Sequence, residues 1–189
     1  MLYADCISLA AHSNITIRLT DTHDLTTERL YISSHDTGNS VKAILFQDSV
    51  TFVRFTSLNV LPGYLLVGKL LEVINKYKIN VISMASSNVS ISMVISASPD
   101  TLRIVQKELH KYAEMVIDEN MSVIHIIGSL HWQRTQVESH IMNTIKDIPI
   151  SQISYGGSDQ CFTLSVHTTD KNRLISLLAA HFFENEFAT

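Results

Sequence analysis

Three sets of residues in this chain have types and spacings that could do chemistry. The first is Tyr155-Gly156-Gly157-Ser158, at the end of a strand-like run. Paired glycines can close backbone N–H groups on a phosphate when they lie between a strand and a helix. Here they lie between two β-prone runs, IPISQISY and CFTLSVH. A strand-to-strand turn therefore fits better, with Gly156 and Gly157 permitting positive φ at the bend. Neither GxxxxGK[ST] nor GxGxxG occurs anywhere.

The second set is the nine histidines: His12, His23, His35, His110, His125, His131, His140, His167 and His181. None falls in HxH, HExxH or a Cys/His knot, so single packed or solvated rings are the plain reading and no metal centre is expected. Serine is abundant, but GxSxG is absent, and no nucleophile stands in a recognisable relation to a base. Glu184 and Glu186 read as solvated residues of a terminal helix. No catalytic centre emerges.

The third set is SLNVLPGY, Ser57 to Tyr64, which leads from a strand into a helix. The first N–H groups of a helix have no intrahelical acceptor. Such a place suits a small anionic group, for example an amino-acid carboxylate. Ordinary capping by Ser57 or Asn59 is the competing reading.

These residues must be positioned by a repeated set of elements. TFVRFT (51–56) reads as a strand. YLLVGKLLEVINKYK reads as a helix with Leu66, Leu70, Val73, Ile74 and Tyr77 on one face. INVISMAS and VSISMVIS follow as strands around Ser87-Asn88. Ser98-Pro99-Asp100 opens a second helix, and AEMVID is a short strand. The order is β-α-β-β-α-β. The second half repeats it with SVIHIIG, a helix over TQVESHIMNTIKD whose Val137, Ile141, Met142 and Ile145 share a face, two strands around the glycines, and a helix NRLISLLAAHFF capped by Asp170. The second set lacks a last strand, which would leave an unpaired edge. VKAILFQ (41–47) is unassigned and is inferred to fill the slot, so that the first unit is inserted in the second. The first 40 residues, with a helix over ADCISLAAHS and strands in NITIRL and YISS, are too few for a core of their own.

The bulk properties agree. The chain has 189 residues, 46% of them hydrophobic, 17% charged residues and a formal net charge of -4. That suits compact domains, and the absence of a basic stripe argues against nucleic acid as a partner. Cys6 and Cys161 form no CxxC pattern and read as reduced thiols. The N-terminus places no Lys or Arg before its apolar part and carries Asp5, unlike a signal peptide, and no apolar run is long enough to span a membrane. A cytoplasmic location is expected.

Two βαββαβ units with one inserted in the other resemble the paired ACT domains of the aspartokinase family. SLNVLPGYLLVGKLLEVINKYKINVISMASSNVSISM is similar to the family's first unit, with its Ser-Leu-Asn-Met-Leu, helix, Asn-Ile-Ser-Val and Thr-Thr-Ser-Glu-Val-Ser-Val. GSLHWQRTQVESHIMNTIKDIPISQISYGGSDQCFTLSV is similar to the second, with its Gly, Trp, Lys-Asp-Ile-Pro-Ile and Ile-Ser-Tyr-Gly-Gly-Ser. LYADCISLAAHSNITIRLTDT resembles the last helix and strand of the kinase domain. The resemblance implies an α+β fold of two ferredoxin-like ACT units. Residues 1–40 would be a kinase-domain remnant and linker. Residues 41–48 would be the strand completing the second unit, 49–118 the first unit and 119–189 the second.

The family enzyme phosphorylates the side-chain carboxylate of L-aspartate, using ATP and Mg. The Lys-Phe-Gly-Gly-type motif and most of the kinase domain are absent here, so this chain is expected to be non-catalytic and to need no cofactor. The resemblance implies self-association of the first unit as a homodimer and an amino-acid effector, lysine in some members, at the junction. Carried over, the effector contacts are Ser57, Asn59, Val60 (usually Met), the backbone of Leu65, Leu66 and Val67, then Asn80, Val81 and Ile82, and Ser86, Ser87 and Asn88. Ile82 replaces the Asp that faces the lysine ammonium, and Asn88 replaces a Glu. Losing a charged hydrogen bond of roughly 1.5–3 kcal/mol weakens binding about tenfold to a hundredfold, so poor lysine binding is expected. A free-standing amino-acid-binding or dimerisation ACT module without a kinase is the alternative.

Overall fold

The computed structural model of the chain describes residues 4–19, 30–32, 41–58, 62–130 and 135–184. The chain divides into two compact units, 1–39 and 40–189. In the smaller, helix α1 (Ala4–His12) precedes a two-stranded antiparallel sheet of β1 (Ile17–Leu19) and β2 (Leu30–Ile32).

The larger unit is built on two long strands. β3 runs through Val41–Ser57 and β6 through Ala113–Gly128. They pair antiparallel from Val41↔Gly128 to Ser57↔Ala113. The remaining elements are α2 (Gly63–Lys76), β4 (Asn80–Ser86), β5 (Ser90–Ser96), α3 (Pro99–Leu109), α4 (Thr135–Thr144), β7 (Gln152–Ser154), β8 (Cys161–His167) and α5 (Thr168–Ala179), which runs into a π-helical turn, Ala180–Glu184. The strand order is β4-β5-β3-β6-β8-β7. The later half of β3 joins β5, β4 and the start of β6 under α2 and α3. The later half of β6 joins β8, β7 and the start of β3 under α4 and α5. These are two ferredoxin-like ACT units, the first inserted in the second, and β3 and β6 serve both.

The sequence reading gives VKAILFQ and TFVRFT as separate strands, and likewise AEMVID and SVIHIIG. The structure corrects this, since each pair runs on as one long strand. Ser49 takes φ 58°, and the ladder shifts register between Gln47 and Val50 and again before Phe52. These bulges bend the ribbon without ending it. IPISQISY likewise narrows to Gln152–Ser154, since Pro149 has no N–H to give a ladder.

Periodicity places the helices well. Leu66, Leu70 and Val73 of α2 are buried, as are Leu102, Val105 and Leu109 of α3. Ser98 caps α3, its Oγ accepting from Thr101 N–H at 3.2 Å, with Pro99 in the first turn. Two expectations are corrected. Met142 is 39% exposed instead of sharing the core face of α4. The N-cap of α5 is His167, whose Nδ1 faces Thr169 N–H at 3.4 Å, and Asp170 falls in the first turn.

Each unit has its own core between sheet and helices, centred on Val53, Phe55, Leu66, Leu70 and Met93 in the first and on Ile124, Ile126, Ile141, Leu164 and Leu174 in the second. A third, smaller cluster lies on the opposite sheet faces. Val50, Phe52 and Val94 of the first unit meet Met121 and Val123 of the second, with Ile82 packed against them. This is a seam between the units. Beside it Asp48 accepts from Ser122 Oγ and Lys171 Nζ, both at 2.7 Å, and the same ammonium lies 4.6 Å from the Phe46 ring.

Candidate functional site

Helix α2 begins without a side-chain cap. Pro62 occupies the N-cap position and offers no side-chain acceptor, so capping by Ser57 is not found, while Asn59 and Val60 lie outside the described residues. The physical reason is distance along the chain: the helix starts six residues after Ser57. Pro62 carbonyl accepts from Leu65 and Leu66 N–H at 2.9 and 3.1 Å. The N–H groups of Gly63 and Tyr64, just before them, have no intrahelical acceptor.

That helix end faces the β4–β5 turn. Gly63, Tyr64 and Val67 on one side, and Ser86, Ser87 and Asn88 on the other, line an open hollow of about 390 Å³. Gly63 is required by the approach, because a Cβ there would stand 2.5 Å from the Asn88 carbonyl oxygen. The turn is held by Ser87: its Oγ accepts from Ser90 N–H at 3.1 Å, and Ser87 N–H donates to the Ser90 carbonyl at 2.8 Å. Among the described residues no charged side chain lines the hollow. Tyr64, which lines it, is 74% exposed, and its chain neighbour Leu65 and the residue after Asn88, Val89, are exposed at 45% and 58%, as is Leu58 at 49%.

The residues marked by sequence divide. Val67, Ser86, Ser87 and Asn88 come together at the hollow. Ser57 ends β3, where its N–H donates to the Val89 carbonyl at 2.8 Å, next to the same turn. Leu65 is exposed and is not among the residues that line the hollow. Leu66 is buried in the first core at 1% exposure and presents no side chain to a ligand. Asn80 and Val81 open β4, Val81 packing on the first core. Ile82 goes elsewhere. A bulge between Val81 and Ser83 turns it to the seam, and it stands four residues before Ser86, about 13 Å along an extended strand. Gly63 and Tyr64 escaped the sequence reading as lining residues. The Pro62-Gly63 dipeptide was their signal, since Gly63 is where two backbones meet.

The second unit treats the corresponding place differently. In the first unit Ser86 pairs with Ile91, which pairs with Phe55. In the second, Phe162 pairs with Ile126, and Ser154↔Thr163 puts Tyr155 opposite Phe162. Tyr155 therefore holds the register of Ser86. Its ring lies 5.0 Å from that of Phe162, and its hydroxyl donates to Glu138 Oε1 at 2.6 Å, with the Leu130 carbonyl at 3.1 Å. Burial, then the Glu138 carboxylate, push the phenol up to about 12. Gly156, at φ 86°, makes the turn that follows.

Among the described residues no three His, Cys, Asp or Glu side chains gather as a metal site, and no helix is long and apolar enough to cross a membrane.

No protein-family model matches the chain. It is 26% identical over 189 residues to aspartokinase 3, chloroplastic, of Arabidopsis thaliana, with 94% of this chain and 34% of that protein covered. The chain thus spans about a third of the length of the curated relative it matches. Among solved structures it resembles a putative C-terminal regulatory domain of aspartate kinase from Porphyromonas gingivalis W83, with TM-score 0.69, 28% identity and coverage of 77% of this chain and 99% of that one. It also resembles Escherichia coli aspartokinase III in complex with lysine and aspartate, with TM-score 0.79, 19% identity and coverage of 97% and 42%. The chain is related to aspartokinase along nearly its whole length, and its fold is that of the aspartokinase regulatory ACT units.

Proposed function

We propose that this chain is the regulatory ACT-domain region of an aspartokinase, and that its first unit self-associates and receives a small amino acid in the Gly63–Asn88 hollow. The observation that carries this reading is the hollow itself: Val67 and Ser86 to Asn88, four of the residues that the resemblance marks, meet the uncapped start of α2 there. Free N–H groups at a helix start favour a carboxylate. A lining that holds no charged side chain among the described residues favours a neutral ligand side chain over lysine, whose ammonium would be desolvated without a carboxylate partner. The exposed Tyr64, Leu65 and Val89 and the edge strand β4 favour pairing with a second copy, as a homodimer.

The parent enzyme would transfer phosphate from ATP, with Mg, to L-aspartate, in aspartate-family and lysine biosynthesis in the cytoplasm. This chain alone would transfer none. Residues 1–40 would be the end of the kinase domain and its linker, 41–48 the closing strand of the second unit, and 49–118 and 119–189 the two ACT units. Titration calorimetry with lysine, threonine and methionine tests the sensing role, and sedimentation tests the dimer. A monomer that binds no amino acid at millimolar concentration would remove this reading.

A further inference from the structure

In the second unit, three side chains with ligating atoms meet on the sheet face turned away from α4 and α5. Ile124 and Ile126 of β6 and Phe162 and Leu164 of β8 enter the core beneath those helices. Side chains alternate along a strand, so His125, Cys161 and Thr163 stand on the opposite face. The register brings them together: His125 pairs with Thr163, and Cys161 pairs with Ile127, two residues further along. His125 Nδ1 lies 3.0 Å from Thr163 Oγ1 and 3.9 Å from Cys161 Sγ, and that sulfur lies 3.4 Å from Thr163 Oγ1. The place is open to solvent. His125 and Cys161 are half-buried, and Leu45, which pairs with His125 from β3, is 56% exposed.

The separation of Nδ1 and Sγ is long for a hydrogen bond. It is close to what a shared metal needs. A tetrahedral zinc ion with thiolate at about 2.3 Å and imidazole at about 2.0–2.1 Å holds its sulfur and nitrogen ligands roughly 3.6 Å apart. Small rotations of two half-buried side chains would close the difference. We propose that Cys161 Sγ and His125 Nδ1 bind one zinc-like metal ion across β6 and β8, with solvent in its remaining positions. The thiol releases its proton to solvent as the sulfur–metal bond forms, and the neutral ring gives its Nδ1 lone pair. Nδ1 exchanges its hydrogen bond with Thr163 for the metal. Burial pushes the His125 pKa down, which keeps the ring in the form that ligates. Two strong ligands make an open site, unlike a closed structural one with four. No local motif marks it, because the ligands are 36 residues apart and meet only through the pairing of β6 with β8. The ion would tie β6, which runs through both units, to β8, and it requires no occupant of the hollow in the first unit.

Cobalt(II), a spectroscopic stand-in for zinc, tests the site on the untagged full chain carrying Cys6→Ser, in which Cys161 is the one thiol left. Titration should raise a thiolate-to-cobalt charge-transfer band in the near ultraviolet that saturates at one ion per chain and is removed by zinc. Adding Cys161→Ser should abolish the band. Adding His125→Gln instead should weaken cobalt binding at least about tenfold. Zinc should raise the urea midpoint of the Cys6→Ser chain by more than that of the chain that also carries Cys161→Ser. Absence of a thiolate band in the Cys6→Ser chain would overturn the proposal, whatever the variants do to folding. A band that keeps its full affinity in His125→Gln would overturn it too, because the thiolate would then hold the ion without the imidazole.

Discussion

The two ACT units share one topology and differ at the end of one strand. The first leaves a hollow between the start of α2 and the β4–β5 turn, where Ser86 offers only a short hydroxyl. The second puts Tyr155 at the same register and ties it to Glu138 and Leu130. A phenol of that size both packs and satisfies polar groups, so the second unit gains stability where the first keeps space. Duplicated folds can divide labour in this way: one copy is filled and serves as support, and the other is left open and can bind. The strands β3 and β6 run through both units and pair with each other along their length.

The comparison can be broken by removing the plug. Tyr155→Ala should cost about 3 kcal/mol in denaturant unfolding, through the cavity and the lost hydrogen bond. Tyr155→Phe should cost about 1–2 kcal/mol, because Glu138 Oε1 loses its donor while the ring stays. A loss below about 0.5 kcal/mol for both would mean that Tyr155 is not a structural support.

The next change closes the hollow from its narrow side. Gly63→Ala drives a Cβ to within 2.5 Å of the Asn88 carbonyl. Backbone must shift, at about 1–3 kcal/mol in stability, and amino-acid binding should fall at least about tenfold by calorimetry. Retained affinity would place the binding site elsewhere.

The smallest stability effect belongs to Asp48, which joins the strand crossing to α5. Hydrogen bonds from Lys171 and then Ser122 hold its carboxyl below the ordinary 3.8. A depressed folded value means that the stabilisation is present above the unfolded value and is lost as pH falls through the folded one. The difference in urea midpoint between wild type and Asp48→Asn should therefore be steady at neutral pH and shrink below about pH 4. A difference unchanged at pH 2 would exclude the carboxylate as its source.

Much of this was legible in the sequence, and the failures are instructive. Helices announced themselves through Leu66, Leu70 and Val73, or through Ser98-Pro99, because burial periodicity and capping are local. The Gly156-Gly157 turn was legible for the same reason. The continuity of β3 was not, since whether Asp48-Ser49 ends a strand depends on β6 being there to pair with. The site was half legible. Ser86, Ser87 and Asn88 follow from the β4–β5 turn, whereas the redirection of Ile82 comes from a bulge, one extra residue that no side-chain pattern marks. The plug in the second unit was visible only as the last residue before the Gly156-Gly157 turn. Its correspondence to Ser86 required the register of both sheets.

The most direct test moves the plug into the open unit. Ser86→Tyr places in the first unit what Tyr155 is in the second, on an exposed residue where folding tolerates it. Calorimetry of wild type and Ser86→Tyr with threonine, methionine and lysine is the measurement. The account predicts that the wild type binds a neutral amino acid at least about tenfold more tightly than lysine, and that Ser86→Tyr abolishes this binding while keeping the wild-type unfolding midpoint. Lysine binding as tightly as a neutral amino acid, or a Ser86→Tyr variant that binds like the wild type, would contradict it.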